Sequence, residues 1–338
     1  MPFSGFLPQH AQWPLPQGVV DLLYEDAAAK RSLEAALRAC FSTWSYDELI
    51  PPTFEYADTL ASEAGTQLAE EMYRFTDRDG RTLALRPDLT IPAARVVATR
   101  LYDQPLPLRL FYVGSVFRYE APQAGRQREF TQAGIELIGA GTPDADAEVL
   151  ALTVEALRTA GLTQFQLALG QMALFRGLLS ELDAPPAALA ALQTALDRKN
   201  AADLAVALDA LHVTGALRRA FLALPALSGG PAILQEGKAI CLNEAMRAAL
   251  GWLDALYQRL HGYGVAAEVT FDLGETRGME YYTGITFKGY TAGVGSAICS
   301  GGRYDDLVGH FGPPQPAVGC ALWLDRILLA RQRQGQQP

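Results

Sequence analysis

The amino-acid sequence predicts an α+β protein in which an antiparallel sheet, flanked by helices, is interrupted by a helical insertion. Strand patterns occur on both sides of a long Ala/Leu-rich stretch that has almost none. That stretch is punctuated by Pro-Pro and Gly-Gly-Pro sequences, which are typical of connections between helices. We therefore predict a discontinuous core, residues 1–165 and 263–338, and a helical insertion domain at residues 166–262.

The core is predicted to begin with a helix that is followed by extended chain. Apolar residues recur at helical spacing from Asp21 to Thr43. Pro51 and Pro52 then prevent a continuing helix, because a proline restricts the residue before it to extended backbone.

A long hairpin is predicted next. The segments Leu108 to Arg118 and Phe130 to Ile138 are rich in aromatic and β-branched residues, and a polar loop separates them. Thr142 and Pro143 then suit the N-cap and first turn of a helix, which Gly161 ends.

After the helical insertion, the pattern of strands returns. Strands are predicted at Val265 to Leu273, Tyr281 to Tyr290 and Ser296 to Ser300, followed by a final helix at Ala321 to Gln332.

Composition narrows the classes of function. The net charge of -9 and the pI near 5.0 argue against a nucleic acid as the main partner, since phosphate binding favours a basic face. Four cysteines and four histidines are scattered without paired spacing, so neither a disulfide framework nor a metal site is expected. The first ten residues lack the features of a signal peptide, and no stretch is long and apolar enough to span a membrane. A cytoplasmic location is therefore expected.

Polar residues on the second hairpin strand indicate a binding pocket. Strand alternation places Gln132, Gly134 and Glu136 on one face, with space above the glycine for a small ligand. Arg118 ends the partner strand, so an acid and a base would flank the same pocket, as suits a zwitterion such as a free amino acid. The alternative is an ion pair of Arg118 with Glu136 or Glu120 that satisfies only itself.

Two further segments combine glycines with arginines or tyrosines. Arg277 to Gly284 offers a tyrosine pair and a cation, although a plain strand with aromatic core residues is the simpler interpretation of this segment on its own. Ser300 to Asp305 joins two glycines to Arg303, for which a hairpin turn with solvated charges is the simpler interpretation. The sequence contains neither a Walker A loop nor a dinucleotide-binding fingerprint.

Taken in order along the chain, these segments resemble the class II aminoacyl-tRNA synthetases, and specifically histidyl-tRNA synthetase. The resemblance covers Gly18 to Arg326. The matching segments are the motif 1-like region around Pro51-Pro52, the RPDLT sequence within Leu85 to Thr90, the motif 2-like Arg118 to Glu120 and Arg126 to Phe130, the Arg277 to Thr283 match to the histidine signature RGLDYYT, and the motif 3-like Val318 to Arg326.

This resemblance implies that L-histidine is the ligand. It assigns the histidine contacts to Asp88, Thr90, Gln132, Glu136, Arg277, Tyr281 and Tyr282. It also makes Arg118, Glu120 and Arg326 vestigial positions of the ATP site.

Two departures change the expected activity. The sequence ends soon after Arg326, so the C-terminal anticodon-binding domain of the synthetases is not expected. Trp323 also replaces a motif 3 glycine, which puts a large side chain where ATP would lie, and Asp325 replaces a glutamate. Such a chain is similar to the regulatory subunits of ATP phosphoribosyltransferase.

That second resemblance implies a protein with no catalytic residues of its own, no cofactor, no tRNA and no membrane partner. It implies assembly with a short-form catalytic subunit, in a hetero-octamer whose regulatory chains dimerise through the motif 1-like region. Histidine would act as the feedback inhibitor of the first step of histidine biosynthesis. Two other interpretations stay open: a freestanding synthetase-like enzyme that activates an amino acid with ATP, and a stand-alone histidine-binding protein.

Overall fold

The structure, a computed structural model, describes residues 14–61, 65–120, 127–276 and 282–335. Its strands are β1 (Asp47–Glu48), β2 (Phe54–Tyr56), β3 (Arg74–Thr76), β4 (Thr82–Leu85), β5 (Leu108–Phe117), β6 (Glu129–Ile138), β7 (Phe165–Gln171), β8 (Ser228–Gly229), β9 (Val269–Asp272), β10 (Ile285–Thr291), β11 (Cys299–Arg303) and β12 (Ala317–Trp323). Its α-helices are α1 (Tyr24–Thr43), α2 (Ala57–Ala61), α3 (Gly65–Glu70), α4 (Thr90–Arg100), α5 (Pro143–Thr159), α6 (Met172–Leu179), α7 (Pro186–Asp197), α8 (Ala201–Ala210), α9 (Gly215–Ala223), α10 (Ile233–Ala239), α11 (Glu244–Gly262) and α12 (Leu324–Arg333).

A nine-stranded sheet organises the described chain, in the order β1-β5-β6-β12-β11-β10-β7-β9-β8. The central pairs are antiparallel, whereas β1 with β5 and β7 with β9 are parallel, so the sheet is mixed. A separate sheet of three strands has the order β2-β4-β3. The predicted α+β class is confirmed. An antiparallel sheet was predicted throughout, whereas two strand pairs away from the centre of the observed sheet are parallel.

Helix α5 forms the main hydrophobic layer on one face of the sheet. It packs on β12 and β6 and is itself covered by α1 and α11. The Thr142 hydroxyl accepts a hydrogen bond from a first-turn amide at 3.3 Å, which confirms the predicted N-cap. From β6, the side chains of Ala133, Ile135 and Leu137 belong to this core, so strand alternation leaves Gln132 and Glu136 for the opposite face.

Besides the two-residue β8, which lies within the predicted helical insertion, two strands of the nine-stranded sheet differ from the sequence prediction. β7 falls where helices were predicted, and it is held in the sheet by β10 on one side and β9 on the other. β12 occupies residues up to Trp323, although the last helix was predicted from Ala321. Both strands are short apolar runs that a helix also tolerates, and pairing with strands distant in sequence decides their conformation.

No helix in the described ranges combines the length and the apolar character needed to cross a lipid bilayer.

Candidate functional site

A cavity of about 220 Å³ lies on the face of β6 that points away from α5. The predicted site residues among its lining are Asp88, Thr90, Arg118, Gln132, Glu136 and Tyr282. These residues come from the start of α4, the end of β5, β6 and the segment before β10, so the sheet brings together groups separated by almost 200 positions. The structure thus places one cation and two carboxyl groups around a single small space.

Glu136 lies at the floor of the cavity and is 1% exposed. The Tyr112 hydroxyl donates to its carboxylate at 2.9 Å, and the Tyr304 hydroxyl donates to the other oxygen. Burial raises the pKa of Glu136 to about 7, although the hydroxyls of Tyr304, Thr90 and Tyr112 oppose that increase. Its carboxyl group can therefore hold or release a proton near neutral pH.

Two glycines make room for this arrangement. A Cβ atom on Gly319 would collide with the Glu136 carboxylate, which can enter the space only because β12 carries no side chain there. At position 134, a Cβ atom would lie 2.5 Å from the Tyr112 hydroxyl. The space that Gly134 leaves is therefore filled by the Tyr112 ring, rather than by a ligand as the sequence suggested.

The segment just before α4 supplies the second acidic group, Asp88. Asp88 accepts a hydrogen bond from the Ile91 amide at 3.2 Å, and Gln132 accepts one from the Leu89 amide at 3.2 Å. Burial raises the pKa of the Asp88 carboxyl, and the nearby Arg118 guanidinium opposes this effect. A carboxyl group in such a position is suited to pair with an ammonium group of a ligand.

Arg118 lines the cavity but is also held by the protein. Its Nε donates to the Pro87 carbonyl at 2.8 Å, and its Nη1 lies 3.8 Å from Glu120. The Arg118–Glu120 ion pair considered from the sequence therefore exists, although its separation of 3.8 Å is too long for a hydrogen bond. Glu120 itself is not among the described residues that line the cavity.

The motif 3-like segment closes one end of the cavity. Trp323 lines the space, and its indole nitrogen is buried with no hydrogen-bond partner among the described residues. The Arg326 guanidinium lies 4.4 Å from the centre of the Trp323 ring and donates to the Ala297 carbonyl at 2.7 Å. Of the described side chains, Arg326 is not one that lines the cavity.

Two predicted contacts, Arg277 and Tyr281, lie outside the described residues. Their neighbour Tyr282 lines the cavity, and burial raises the pKa of its hydroxyl, which is hydrogen-bonded to Ser300.

The sequence interpretation missed Tyr112 and Tyr304, which bind the Glu136 carboxylate. Tyr304 follows Arg303, for which the sequence favours a hairpin turn with solvated charges. That assignment was wrong for Arg303, which is 4% exposed, ends strand β11 and forms an ion pair with the fully buried Asp146. The sequence signal that could have indicated a role for Tyr304 was the glycine pair Gly301-Gly302 directly before Arg303.

The cavity suits a small, charged metabolite. Pockets that bury drug-sized ligands have volumes of roughly 300–1,000 Å³, larger than this cavity. Two acids, one arginine and several hydroxyl groups favour a ligand with an ammonium group and a second hydrogen-bonding group. No group of three or more His, Cys, Asp or Glu side chains in the described part of the chain is arranged to hold a metal ion.

Comparison with known proteins agrees with this fold. The family model described as histidyl-tRNA synthetase matches residues 18–327. A protein of Moorella thermoacetica named ATP phosphoribosyltransferase regulatory subunit is 49% identical over 319 residues, which cover 94% of this chain and 82% of the relative. A protein of Desulforamulus reducens with the same name is 44% identical and covers 94% of this chain and 79% of its own length.

Solved structures give the same result. The crystal structure of an ATP phosphoribosyltransferase regulatory subunit/histidyl-tRNA synthetase from Bacillus halodurans has a TM-score of 0.87 and 35% identity, with 95% of this chain and 83% of that chain covered. A histidyl-tRNA synthetase from Nostoc has a TM-score of 0.80 at 21% identity, with 96% of this chain and 77% of that chain covered, and shows likeness of fold alone.

The fold therefore defines a protein of the class II aminoacyl-tRNA synthetase type, close to histidyl-tRNA synthetase. Within that class, the chain belongs to the family of ATP phosphoribosyltransferase regulatory subunits, as the sequence predicted.

Proposed function

We propose that this protein is a non-catalytic regulatory subunit of ATP phosphoribosyltransferase, which binds L-histidine in the described cavity and inhibits the partner's reaction in response. The observation that carries the proposal is the combination of relatives of that name at up to 49% identity with a small cavity containing Asp88, Glu136 and Arg118. The partner is a short-form catalytic subunit, which performs the first step of histidine biosynthesis in the cytoplasm.

The charges of the cavity support a basic amino acid as the ligand. Asp88, just before α4, and Gln132, on β6, are suited to the α-amino group. Glu136, whose pKa is raised by burial to about 7, is suited to a group that also titrates near neutral pH. The imidazole side chain has an ordinary pKa of about 6.5, so it and Glu136 can share one proton. Arg277 and Tyr281 complete the proposed set of contacts.

The region around Trp323 supports the absence of amino-acid activation. Its indole ring lines the cavity, and the Arg326 guanidinium lies over that ring instead of lining the cavity. The part of the cavity that the described residues enclose, about 220 Å³, has a size that suits an amino acid. Arg118, Glu120 and Arg326 are thus proposed to be remnants of a nucleotide site.

Assembly is proposed to use the motif 1-like region. Ile50 and Phe54, which flank the two prolines, are exposed apolar side chains, and exposed apolar groups at one location favour an interface. Dimers of this chain and catalytic subunits would form the hetero-octamer. Histidine would then act by linkage, because a ligand that prefers one state of the complex shifts the population of the partner's active state.

The test is reconstitution with the short-form catalytic subunit and measurement of its activity against histidine concentration. We expect the wild-type complex to be inhibited by histidine, and Glu136→Gln to require about tenfold more histidine because one charged hydrogen-bonding group is lost. Glu155→Gln, on the exposed surface of α5, is the matched control and should leave inhibition unchanged. Equal inhibition of the wild type and Glu136→Gln would contradict binding in this cavity, and failure of the two proteins to associate would contradict the subunit role.

One observation favours a second function, that of a freestanding enzyme activating an amino acid with ATP: Arg118 still lines the cavity. ATP–pyrophosphate exchange in the presence of histidine distinguishes the two. We expect no exchange by the isolated protein, and robust exchange would establish the enzyme in place of the regulator.

A further inference from the structure

The cavity wall at Tyr282, with the residue that follows it, Thr283, is held from two sides. Arg176, on α6, donates from Nη2 to the Tyr282 carbonyl at 2.7 Å and from Nη1 to the Thr283 carbonyl at 3.3 Å. On the other side, the Thr283 amide donates to the Arg303 carbonyl at 2.7 Å, and the Asp305 amide donates to the Thr283 hydroxyl at 3.0 Å. The backbone that places the Tyr282 side chain against the ligand space is therefore fixed by these neighbours.

The Arg303 side chain extends this support to a distant helix. Its Nε and Nη2 donate to one Asp146 oxygen at 3.0 and 2.5 Å, and its Nη1 donates to Asp305 at 2.9 Å. The other Asp146 oxygen accepts a hydrogen bond from the Trp252 indole of α11 at 2.6 Å. Arg303 and Asp146 are both buried, so every bond in this cluster lies in or near the protein interior.

This geometry connects helices α6 and α11 to the same short segment. Charge-assisted hydrogen bonds of an arginine fork require defined directions, and a buried network loses much of its stability when one member moves. A displacement of α6 would act on the Tyr282 and Thr283 carbonyls directly. A displacement of α11 would act through Trp252, Asp146 and Arg303.

We infer that Arg176, Arg303, Asp146 and Trp252 are positioning residues that couple the placement of α6 and α11 to the affinity of the cavity for its ligand. The inference rests on the proposed binding of histidine in that cavity. It assigns a route by which the occupancy of the cavity and the positions of α6 and α11 influence each other. Because thermodynamic coupling is reciprocal, the effect runs in both directions.

The test uses L-histidine as the probe and isothermal titration calorimetry on the full chain. Trp252→Phe keeps an aromatic ring on α11 but removes the indole donor to Asp146. Trp44→Phe is a matched control, because the Trp44 indole donates to Glu155 at 3.0 Å outside this cluster. We expect Trp252→Phe to bind histidine about fivefold more weakly or worse, the lower end of typical coupling between sites. Trp44→Phe should bind within about twofold of the wild type.

A second variant and a mutant cycle separate positioning from a general loss of stability. Arg176→Lys keeps the charge but loses the forked hydrogen bonds to the two carbonyls, so it should also weaken histidine binding. This variant serves as the test if Trp252→Phe does not fold. In a Tyr282→Ala background, Trp252→Phe should cost much less affinity than in the wild type, because the side chain being positioned is gone. Additive effects within about twofold would overturn the inference.

The outcomes also distinguish this inference from the proposed function. If the wild type binds no histidine, the proposed function fails and the inference fails with it. If the wild type binds histidine and Trp252→Phe and Arg176→Lys bind it equally well, the positioning role alone is refuted.

Discussion

Replacing Glu136 with glutamine offers a direct test of the electrostatics of the cavity, without any ligand. The Glu136 carboxyl is 1% exposed and accepts hydrogen bonds from Tyr112 and Tyr304. Burial raises its pKa from 4.5 to about 7, so the folded protein binds this proton more tightly than the unfolded chain. Glutamine has nearly the same size and cannot titrate in this range.

The sign of the effect follows from proton linkage. Between pH 4.5 and about 7 the folded state keeps a proton that the unfolded state releases, so the free energy of unfolding falls as the pH rises. A pKa displacement of this size corresponds to about 3 kcal/mol for a single group. The Glu136 contribution is therefore fully present below pH 4.5 and is lost as the pH passes through about 7.

The assay is urea unfolding of the wild type and Glu136→Gln from about pH 5 to about pH 8, followed by tryptophan fluorescence. The wild type should lose about 2–3 kcal/mol relative to the variant across this range, because part of the contribution is already lost at about pH 5. Asp146 and Asp325, whose carboxyl pKa values are also raised by burial, are present in both proteins and cancel in the difference. Parallel stability curves would refute the raised pKa and the buried environment inferred for Glu136.

Three further predictions concern single contacts. Arg303→Met should lower the free energy of unfolding by about 3–5 kcal/mol in urea titrations, because it leaves Asp146 buried without its ion pair. A loss below about 1 kcal/mol would contradict this pairing. Thr142→Ala removes the N-cap acceptor of α5 and should cost about 1 kcal/mol in thermal unfolding; an unchanged midpoint would show that the cap does not stabilise the helix. Gly319→Ala should abolish histidine binding in calorimetry, since the new methyl group displaces the Glu136 carboxylate; retained affinity would show that the carboxylate does not need this space.

Local patterns in the sequence predicted several elements well. The alternation on β6 correctly separated Ala133, Ile135 and Leu137, which pack in the core, from Gln132 and Glu136, which face the cavity. This prediction was reliable because strand geometry assigns each side chain to a face from its position alone.

The prediction failed where partners distant in sequence decide the outcome. β7 contains alternating leucines that a helix also accommodates, and only its pairing with β10 and β9 makes it a strand. Arg303 follows two glycines and suited a solvated turn, yet its side chain is buried against Asp146, which lies 157 positions earlier. No local pattern indicates such a pair.

The sequence by itself determined the α+β class, the family and the candidate polar groups of the cavity, because periodicity, capping and motif residues are local properties. The tertiary structure alone decided that Tyr112 and Tyr304 bind Glu136 and that Arg303 connects Asp146 to the cavity wall. These contacts depend on the register of adjacent strands and on the space left by glycines. The protonation of a buried carboxyl group likewise depends on its surroundings rather than on its position in the chain.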